Sequence, residues 1–345
     1  MKPVIAVTLG DPAGIGPEII AKTLADPETY RICRPLVVGE GHAVRMGVEV
    51  ARVSLTINPI DEPAEAGFSH GAIDLIDLRN LDPSRIEMGK PAAMTGAASV
   101  DYVVYAADLA LAGKVDAVVT APLNKEAMHM AGYSYPGHTE LLAEKSGTGQ
   151  YAMMLATGNL RVVHATTHIS LREVADRLTE ERVLDTIHIA RDACLSLGID
   201  EPRIAVAGLN PHAGDGGIFG DEEERIIRPA IMEAVEEGLD VDGPVPADTV
   251  FAKAAGGQYD IVVALYHDQG HIPVKLLGMR YDESKGEWLS VSGVNVTLGL
   301  SFIRTSVDHG TAYGKAGRRE GTANPDSLKE SIRVAVQMAM ARKKQ

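Results

Sequence analysis

The sequence predicts an α/β protein with two domains. Short apolar runs rich in β-branched residues, such as residues 115–120 and 260–265, alternate with longer helical patterns, which is typical of buried parallel strands joined by helices. Aromatic residues make up only 4% of the chain, and its 35 glycines favour close packing of helices on a sheet. A chain of 345 residues is too long for one ordinary hydrophobic core, so we expect two domains.

Composition and charge exclude several classes of protein. The formal net charge of −14 argues against nucleic acid or an anionic membrane as a partner, because both require a basic surface. The only cysteines, Cys33 and Cys194, form no CxxC motif, so neither a disulfide framework nor a thiolate zinc site is indicated. The first apolar run is too short for a signal peptide, and no run is long enough to cross a bilayer. We therefore expect a cytoplasmic protein.

The first part of the chain alternates strands with helices. A Gly-rich turn at residues 10–18 joins the first strand to a helix that starts near Pro17, and such a turn either binds an anion or allows close packing. Further helices are expected after Asn124 and from His138. The expected strands are residues 4–9, 35–39, 53–57, 73–78 and 115–120, and the long helix is residues 91–112.

The second part of the chain predicts a mixed sheet. Residues 157–159 separate two strand-like runs and indicate a β-hairpin, while Ser170 and Glu173 fit a capping box that starts a helix. Residues 266–275 are expected to form a polar loop after a buried strand, and residues 279–292 a polar hairpin excursion. The remaining expected elements are strands at residues 151–156, 160–167, 260–265 and 293–299, strands beginning at 203 and 302, and helices at 221–237 and 326–343.

Three strand-like runs each end in a histidine. His168, His212 and His267 follow separate apolar runs, and chemistry collects at the carboxyl ends of strands in open α/β sheets. Three imidazoles that leave one position open are the ligand set of a catalytic metal site. The alternative is that each histidine is a hydrogen-bonded loop residue, because spacing along the chain does not fix distances between loops.

Several residues could bind an anionic group despite the negative net charge. Lys125 follows a strand end, and His138 and Thr139 lie in the first turn of a helix, where the dipole and the unpaired N–H groups favour phosphate or carboxylate. Arg304 stands in an otherwise apolar strand, where a guanidinium needs an anionic partner. A solvated lysine, a capping threonine and an internal arginine–carboxylate pair are the competing interpretations.

Four motifs give the chain a resemblance to a known family. They are GDPAGIGPE at residues 10–18, PGHTE at 136–140, YHDQG at 266–270 and FIRTSVDHGTA at 302–312. In this order, and over nearly the whole chain, the sequence resembles the 4-hydroxythreonine-4-phosphate dehydrogenase family. The resemblance implies two α/β/α domains with a central cleft, similar to isocitrate and isopropylmalate dehydrogenases, and a homodimer whose metal histidines come from both subunits. One domain would comprise residues 1–128 and 296–345, and the other residues 129–295, with the metal histidines and the dimer interface.

The same resemblance implies roles for individual residues. His168, His212 and His267 would bind one divalent metal ion, which could be zinc, magnesium, manganese or cobalt. The substrate-binding residues would be His138, Thr139, Lys275, Asn295 and Arg304. The loop for NAD or NADP would be Asp308, His309, Gly310, Thr311 and Ala312. The candidate catalytic groups are Lys275, Asp268 and Lys125.

The resemblance also implies an activity, which is NAD-dependent oxidation of a 4-phosphorylated 3-hydroxy acid followed by loss of CO2. The added His271 in the YHDQG loop is similar to a paralogous branch that acts on 4-phosphorylated threonate or erythronate rather than on 4-hydroxythreonine 4-phosphate. Two alternatives remain. Three histidines and a water also suit a metal-dependent hydrolase or aldolase, and the same fold could belong to a non-catalytic metabolite-binding protein.

Overall fold

The computed structural model describes residues 1–149, 151–284 and 287–344, and of residues 287–291 it describes only the backbone. The chain divides into two compact units, which are Met1–Tyr151 with Leu300–Lys344, and Ala152–Gly299. The first boundary therefore follows Tyr151 rather than residue 128, so the helix that begins at His138 belongs to the first unit.

Strands and helices alternate along most of the chain. The strands are β1 (Val4–Thr8), β2 (Arg34–Gly39), β3 (Thr56–Ile60), β4 (Ala72–Asp77), β5 (Ala117–Thr120), β6 (Ala152–Thr157), β7 (Leu160–His164), β8 (Ile204–Ala207), β9 (Val241–Val245), β10 (Ile261–Ala264), β11 (Met279–Asp282), β12 (Glu287–Val291), β13 (Val294–Leu298) and β14 (Ile303–Val307). The helices are α1 (Gly16–Leu24), α2 (Pro27–Ile32), α3 (Gly41–Ala51), α4 (Ala93–Leu111), α5 (Lys125–Met130), α6 (His138–Ser146), α7 (Val174–Arg177), α8 (Glu180–Ser196), α9 (Arg228–Glu236), α10 (Ala247–Ala255), α11 (His267–Gly278), α12 (Tyr313–Ala316) and α13 (Asp326–Arg342). Among the described residues, no helix combines the length and the apolar character needed to span a membrane.

The sheet of the first unit is parallel, with the strand order β3-β4-β2-β1-β5-β14. Its inner strands β1, β5 and β14 are buried along their whole length, which explains their continuous apolar sequences. The edge strand β3 lies at Thr56–Ile60 instead of the expected residues 53–57. It contains Pro59, which an edge position tolerates because one side of the strand makes no ladder hydrogen bonds. Because all six strands run the same way, the segments after β1, β5 and β14 begin at one edge of this sheet.

The sheet of the second unit is mixed, as the hairpin around residues 157–159 predicts. Its order is β13-β6-β7-β10-β8-β9, in which β13, β6 and β7 pair antiparallel and the other neighbours pair parallel. A buried cluster that includes Leu155, Val162, Val262 and Phe251 forms its core. The strands β7, β10 and β8 are adjacent and parallel. Their carboxyl ends therefore bring the segments that carry His168, His267 and His212 to one edge.

One expected loop is a helix. Residues 266–275 were expected to form a polar loop, but residues from His267 onward form the twelve-residue helix α11. Pro273 and Gly270 both disfavour a helix locally. Gly270 is needed here for close packing, since a Cβ there would overlap Nε2 of His164. The excursion that follows α11 is the antiparallel hairpin β11–β12, as the sequence predicts. The metal candidate His267 is therefore the first residue of a helix.

Candidate active site

Arg304 is the second residue of β14 and is almost fully buried, with 2% of its surface exposed. Its Nη2 donates a hydrogen bond to Oγ1 of Thr120 on the neighbouring strand β5, at 2.7 Å. Burial lowers the pKa of Arg304 to about 9, while the negative charge of Glu140 acts in the opposite direction. The guanidinium thus remains charged at neutral pH at a site where desolvating a charge is unfavourable, which favours binding of an anion.

His138 is the first residue of α6, and the residue before it, Gly137, provides no side-chain cap. The Nε2 atom of His138 is buried and accepts or donates no hydrogen bond within the described residues. Burial and the nearby charge of Arg304 hold the pKa of His138 well below its ordinary value, so the ring is neutral at pH 7. The start of α6 therefore offers backbone N–H groups, the positive end of a helix dipole and a neutral imidazole beside a buried guanidinium.

Two other predicted residues belong to the same part of the first unit. Thr139 follows His138 in the first turn of α6. Lys125 is the first residue of α5 and is exposed, and a Cβ at Gly137 would lie 4.0 Å from its Cε. Lys125 is thus within side-chain reach of the start of α6, where it adds a second positive charge.

Histidines also cluster in the second unit. The ring centroids of His168 and His267 are 5.8 Å apart, and His271 stacks on His267 at 3.6 Å. Behind them lies the buried His164, 4.8 Å from His271, whose pKa falls to about 3 because of burial and the two neighbouring imidazoles. The rings of His168 and His267 line a cavity of about 290 Å³ with Thr167, Tyr266 and Asp268, among others.

The contacts of His267 suit a metal ligand. Its Nδ1 donates to Oδ1 of the exposed Asp268 at 2.7 Å, so its Nε2 is the nitrogen left to bind an ion. A carboxylate on the second nitrogen is the usual partner of a metal-binding histidine, because it fixes the tautomer and orients the ring. The fit within one chain is nevertheless incomplete. In the part of the chain that the structure describes, no three His, Cys, Asp or Glu side chains are grouped closely enough to hold a metal ion.

His212 lies in an unusual turn after β8. The backbone of residues 212–216 is left-handed throughout, and the exposed ring of His212 faces Phe219 at a centroid distance of 6.3 Å. Of the three predicted metal ligands, His168 and His267 have their rings close together, whereas the neighbouring ring of His212 is that of Phe219.

Lys275 and Asn295, the remaining predicted substrate residues, belong to the second unit. Lys275 lies in the last turn of the helix α11 rather than in the expected loop, and it is partly buried. Asn295 lies on β13, where its Nδ2 donates to Sδ of Met153 at 2.8 Å. Its Oδ1 is buried and has no hydrogen-bond donor among the described residues, so a ligand that carries a donor could bind there.

The predicted cofactor loop follows β14 and packs on the Gly-rich turn after β1. The carbonyl of Thr311 accepts a hydrogen bond from the N–H of Ile15 at 3.0 Å, and a Cβ on Gly14 would lie 3.0 Å from Cβ of Thr311. Asp308 is held by Oγ of Ser327, and Ala312 adopts a left-handed conformation before α12. Gly310 and the partly buried His309 lie between them. Close packing against the predicted cofactor loop is therefore one function of Gly14 in the Gly-rich turn after β1.

Sequence reasoning missed the buried polar residues that hold these segments. Asp11 is completely buried and accepts hydrogen bonds from the hydroxyl of Tyr313 at 2.7 Å and from the N–H of Ala13 at 2.8 Å. Burial raises the pKa of Asp11 despite these hydrogen bonds. In the second unit, the buried side chain of Gln269 accepts from the N–H of Leu265 and donates to the carbonyl of Gly208, both at 2.7 Å, so it ties the end of β10 to the end of β8. Both residues occur within the motifs quoted above, but their partners are distant in sequence.

The chain is similar to known dehydrogenases over almost its whole length. The family model described as "Pyridoxal phosphate biosynthetic protein PdxA" matches residues 31–335. The D-threonate 4-phosphate dehydrogenase of Salmonella typhimurium is 49% identical over 97% of this chain and 98% of its own length. The crystal structure of 4-hydroxythreonine-4-phosphate dehydrogenase from Klebsiella pneumoniae is 47% identical, covers 98% of both chains and superposes with a TM-score of 0.86. The terephthalate 1,2-cis-dihydrodiol dehydrogenase from Burkholderia xenovorans LB400 is more distant, at 31% identity, 98% coverage of both chains and a TM-score of 0.65.

These relatives are dehydrogenases, and this chain is an oxidoreductase of the same class. It belongs to the PdxA family. The resemblance that the four sequence motifs indicate is therefore confirmed over the whole chain, and so is the α/β fold class.

Proposed function

We propose that the protein catalyses NAD-dependent, divalent-metal-dependent oxidative decarboxylation of a 4-phosphorylated 3-hydroxy acid. The observation that carries the proposal is the buried guanidinium of Arg304 beside the uncapped start of α6. The relatives are named for different substrates, which are 4-hydroxythreonine 4-phosphate, D-threonate 4-phosphate and a dihydrodiol of terephthalate. Family membership alone therefore does not define the substrate.

The positive groups of the first unit suit the substrate phosphate. A phosphate accepts hydrogen bonds in several directions, and a helix start, a planar guanidinium and an imidazole can donate to different oxygens at once. A neutral His138 can donate from one ring nitrogen. Lys125 would neutralise the second phosphate charge. We infer that these residues, with Thr139, bind the phosphate. In the second unit, Lys275 and the buried Oδ1 of Asn295 remain proposed substrate-binding groups.

The histidines of the second unit suit a divalent metal. His168 and His267 would be two of its ligands, and the Asp268 carboxylate would orient His267. We propose that His212 is the third ligand and that a second copy of the chain completes the site, because the described residues of one chain do not supply three grouped donors. When bound, the metal would act as a Lewis acid toward the C3 oxygen of the substrate. Imidazole accepts zinc, manganese or cobalt more readily than magnesium.

The loop of residues 308–312 is the proposed binding segment for NAD, with NADP as the alternative cofactor. Its anchoring through Thr311 to the Gly-rich turn, and through Tyr313 to Asp11, keeps the backbone in one conformation. A rigid loop lowers the entropic cost of binding a dinucleotide. The cofactor would accept the hydride from C3 of the substrate.

The side chains of this protein would control the proton and the position of the substrate. With a bound cofactor as hydride acceptor, oxidation at C3 would release the hydroxyl proton, for which Nζ of Lys275 or of Lys125 is the proposed acceptor. Asp268 accepts a hydrogen bond from Nδ1 of His267, so it is better placed to orient that ring than to accept the hydroxyl proton of the substrate. The resulting β-keto acid loses CO2 when the electron pair of the C1–C2 bond moves toward the C3 carbonyl, and a proton then adds at C2.

We also propose a homodimer in the cytoplasm. Three large apolar side chains on α11 are exposed, namely Ile272, Leu276 and Leu277, and they line a groove of about 520 Å³ in the second unit. Such an exposed apolar patch favours a protein partner, and a second copy can bury the same patch twice. The buried free thiols of Cys33 and Cys194 are compatible with a reducing compartment.

The test is formation of NADH by purified, metal-loaded protein. The substrates to compare at equal concentration are 4-phospho-D-threonate, 4-phospho-D-erythronate, 4-hydroxy-L-threonine 4-phosphate and unphosphorylated D-threonate. We expect a phosphorylated substrate to exceed its unphosphorylated counterpart in kcat/KM by about 1,000-fold or more, because charged hydrogen bonds to a buried guanidinium are strong. Turnover without NADH would favour the hydrolase or aldolase alternative, and binding without turnover would favour a metabolite-binding protein.

A further inference from the structure

The turn that carries His212 has a strained backbone. The φ angles of His212, Ala213, Gly214, Asp215 and Gly216 are 53°, 52°, 80°, 45° and 67°. Glycine adopts this left-handed conformation freely, but a residue with a Cβ does so at a cost, and three of the five residues have one. Such strain persists only where the surrounding structure enforces it, and it concentrates at functional sites.

Glu223 is the side chain that encloses this turn. It is buried, with 1% of its surface exposed, and its Oε1 accepts hydrogen bonds from the N–H groups of Leu209 and Asn210 at 2.8 and 2.7 Å. Its Oε2 accepts from Nδ2 of Asn210 at 2.9 Å. The carboxylate also fills the inside of the turn, because a Cβ on Gly214 would lie 2.8 Å from Oε2. Glu223 therefore holds the entry to the turn and limits its interior.

The local backbone around Glu223 is specialised for this purpose. Glu223 begins a π-helical turn, Glu223–Ile227, which leads into α9. Wider turns of this kind are frequent at functional sites. A buried carboxylate is unfavourable unless several donors surround it. Here three N–H donors surround the carboxylate, two of them on Oε1 and one on Oε2. A glutamine has only one terminal oxygen, and its NH2 group cannot accept a hydrogen bond, so it could not replace both carboxylate oxygens.

We propose that Glu223 is a positioning residue for His212: its carboxylate holds the left-handed turn in the conformation in which the imidazole binds the divalent metal. This inference rests on the proposed metal-binding function of His212. In this proposal Glu223 is not a metal ligand, and it acts through the turn that its carboxylate holds.

The test is a Co2+ titration of the full-length protein, followed by calorimetry and by the visible absorption of the bound ion. Glu223→Gln should weaken Co2+ binding by about 10- to 100-fold, as is usual when a group that orients a metal ligand is lost. It should also alter the absorption spectrum at saturation, which a loss of global stability alone would not do. Glu224→Gln is the matched control, because Glu224 is exposed and pairs with Arg228 on the surface, so this variant should bind Co2+ like the wild type.

A double substitution separates positioning from a general effect. In a His212→Ala background, Glu223→Gln should cause no further loss of Co2+ affinity, because the residue through which it acts is absent. An equal loss in both backgrounds would overturn the proposal, and so would wild-type affinity and spectrum for Glu223→Gln. If Glu223→Gln does not fold, Asn210→Asp, which removes the Nδ2 donor, must weaken Co2+ binding only when His212 is present.

The same data distinguish the inference from the function on which it rests. If His212→Ala binds Co2+ as tightly as the wild type, the metal-binding function of His212 is wrong and the inference fails with it. If His212→Ala loses affinity but Glu223→Gln does not, only the positioning function of Glu223 is wrong.

Discussion

In the proposed function, the choice of substrate depends on the guanidinium of Arg304. Replacing it with methionine should raise KM for the phosphorylated substrate by about 100-fold, since losing one partner of a buried charged hydrogen bond costs roughly 3 kcal/mol. The stability of the ligand-free protein should change much less, because methionine fills the buried position without burying a charge. Steady-state kinetics and urea unfolding measure the two effects.

Lysine at position 304 is the control for charge. It retains a positive charge but not the planar fork that pairs with two oxygens, so its KM should lie between those of the wild type and the methionine variant. An unchanged KM in Arg304→Met would remove Arg304 from the phosphate site, whatever the effect on stability.

His138 should make stability sensitive to acid. Burial and Arg304 keep its pKa well below the ordinary value, so below about pH 6.5 the unfolded chain takes up a proton that the folded chain does not. Its contribution to stability is therefore present above that pH and is lost as the pH falls. In His138→Gln, the free energy of unfolding should fall less steeply below pH 6.5, by up to about 1.4 kcal/mol per pH unit. Urea titrations at fixed protein concentration measure the slopes, and parallel slopes would contradict the assignment.

At the scale of elements, local sequence predicted most strands, and long-range contacts decided the exceptions. Buried β-branched runs such as β5 and β10 identify themselves because a strand covered on both faces must be apolar throughout. The segment after β10 was misassigned because Gly270 and Pro273 disfavour a helix locally. Its geometry depends instead on Gln269, whose partner Gly208 is 61 residues away, and no local pattern contains that contact.

The candidate site was predictable to a similar extent. Arg304 is conspicuous in the sequence because a charged residue interrupts an apolar strand. The three histidines are conspicuous because each follows the end of an apolar strand. The acidic run that contains Glu223 could be assigned only to the start of a helix, because a carboxylate that holds a turn has the same sequence pattern as one that interacts with the helix dipole. The wider spacing of a π-helical turn also leaves no signal in the sequence.

The contact between the Gly-rich turn and the cofactor loop gives a prediction about two segments rather than one residue. Tyr313→Phe removes the hydrogen bond to the buried Asp11, so the loop of residues 308–312 should lose part of its anchoring. We expect Kd for NAD to rise by about tenfold, which corresponds to roughly 1.4 kcal/mol. KM for the phosphorylated substrate should change much less. Titration of intrinsic fluorescence or calorimetry with NAD measures the effect.

Tyr259→Phe is the matched control for that experiment, because the hydroxyl of Tyr259 donates a hydrogen bond to Asp242 within the second unit, whereas the cofactor loop belongs to the first unit. Equal losses of NAD affinity in both variants would indicate a general effect of removing a tyrosine hydroxyl. An unchanged Kd in Tyr313→Phe would show that the loop needs no such anchor.

At the scale of the whole molecule, the proposed dimer interface and the proposed metal site share α11. It begins with His267, and further along it exposes Ile272, Leu276 and Leu277, of which Leu276 is 77% exposed. If a second copy covers this patch and completes the metal site, separating the subunits must also weaken metal binding. A two-fold interface contains each substitution twice. Loss of about 1.5–3 kcal/mol per leucine therefore predicts about 3–6 kcal/mol for the dimer, or roughly a 100- to 10,000-fold higher dissociation constant.

Leu276→Glu tests this linkage by sedimentation and by Co2+ titration of the same samples. We expect the variant to sediment as a monomer at concentrations where the wild type is a dimer. It should also bind Co2+ more weakly, because a monomer lacks the ligand that the second subunit is proposed to supply. Met232→Glu is the control, since Met232 is 57% exposed on α9 and the variant carries the same added charge. A Leu276→Glu monomer that binds Co2+ like the wild type would show that one chain forms the metal site alone. A Leu276→Glu dimer would place the interface elsewhere on the surface.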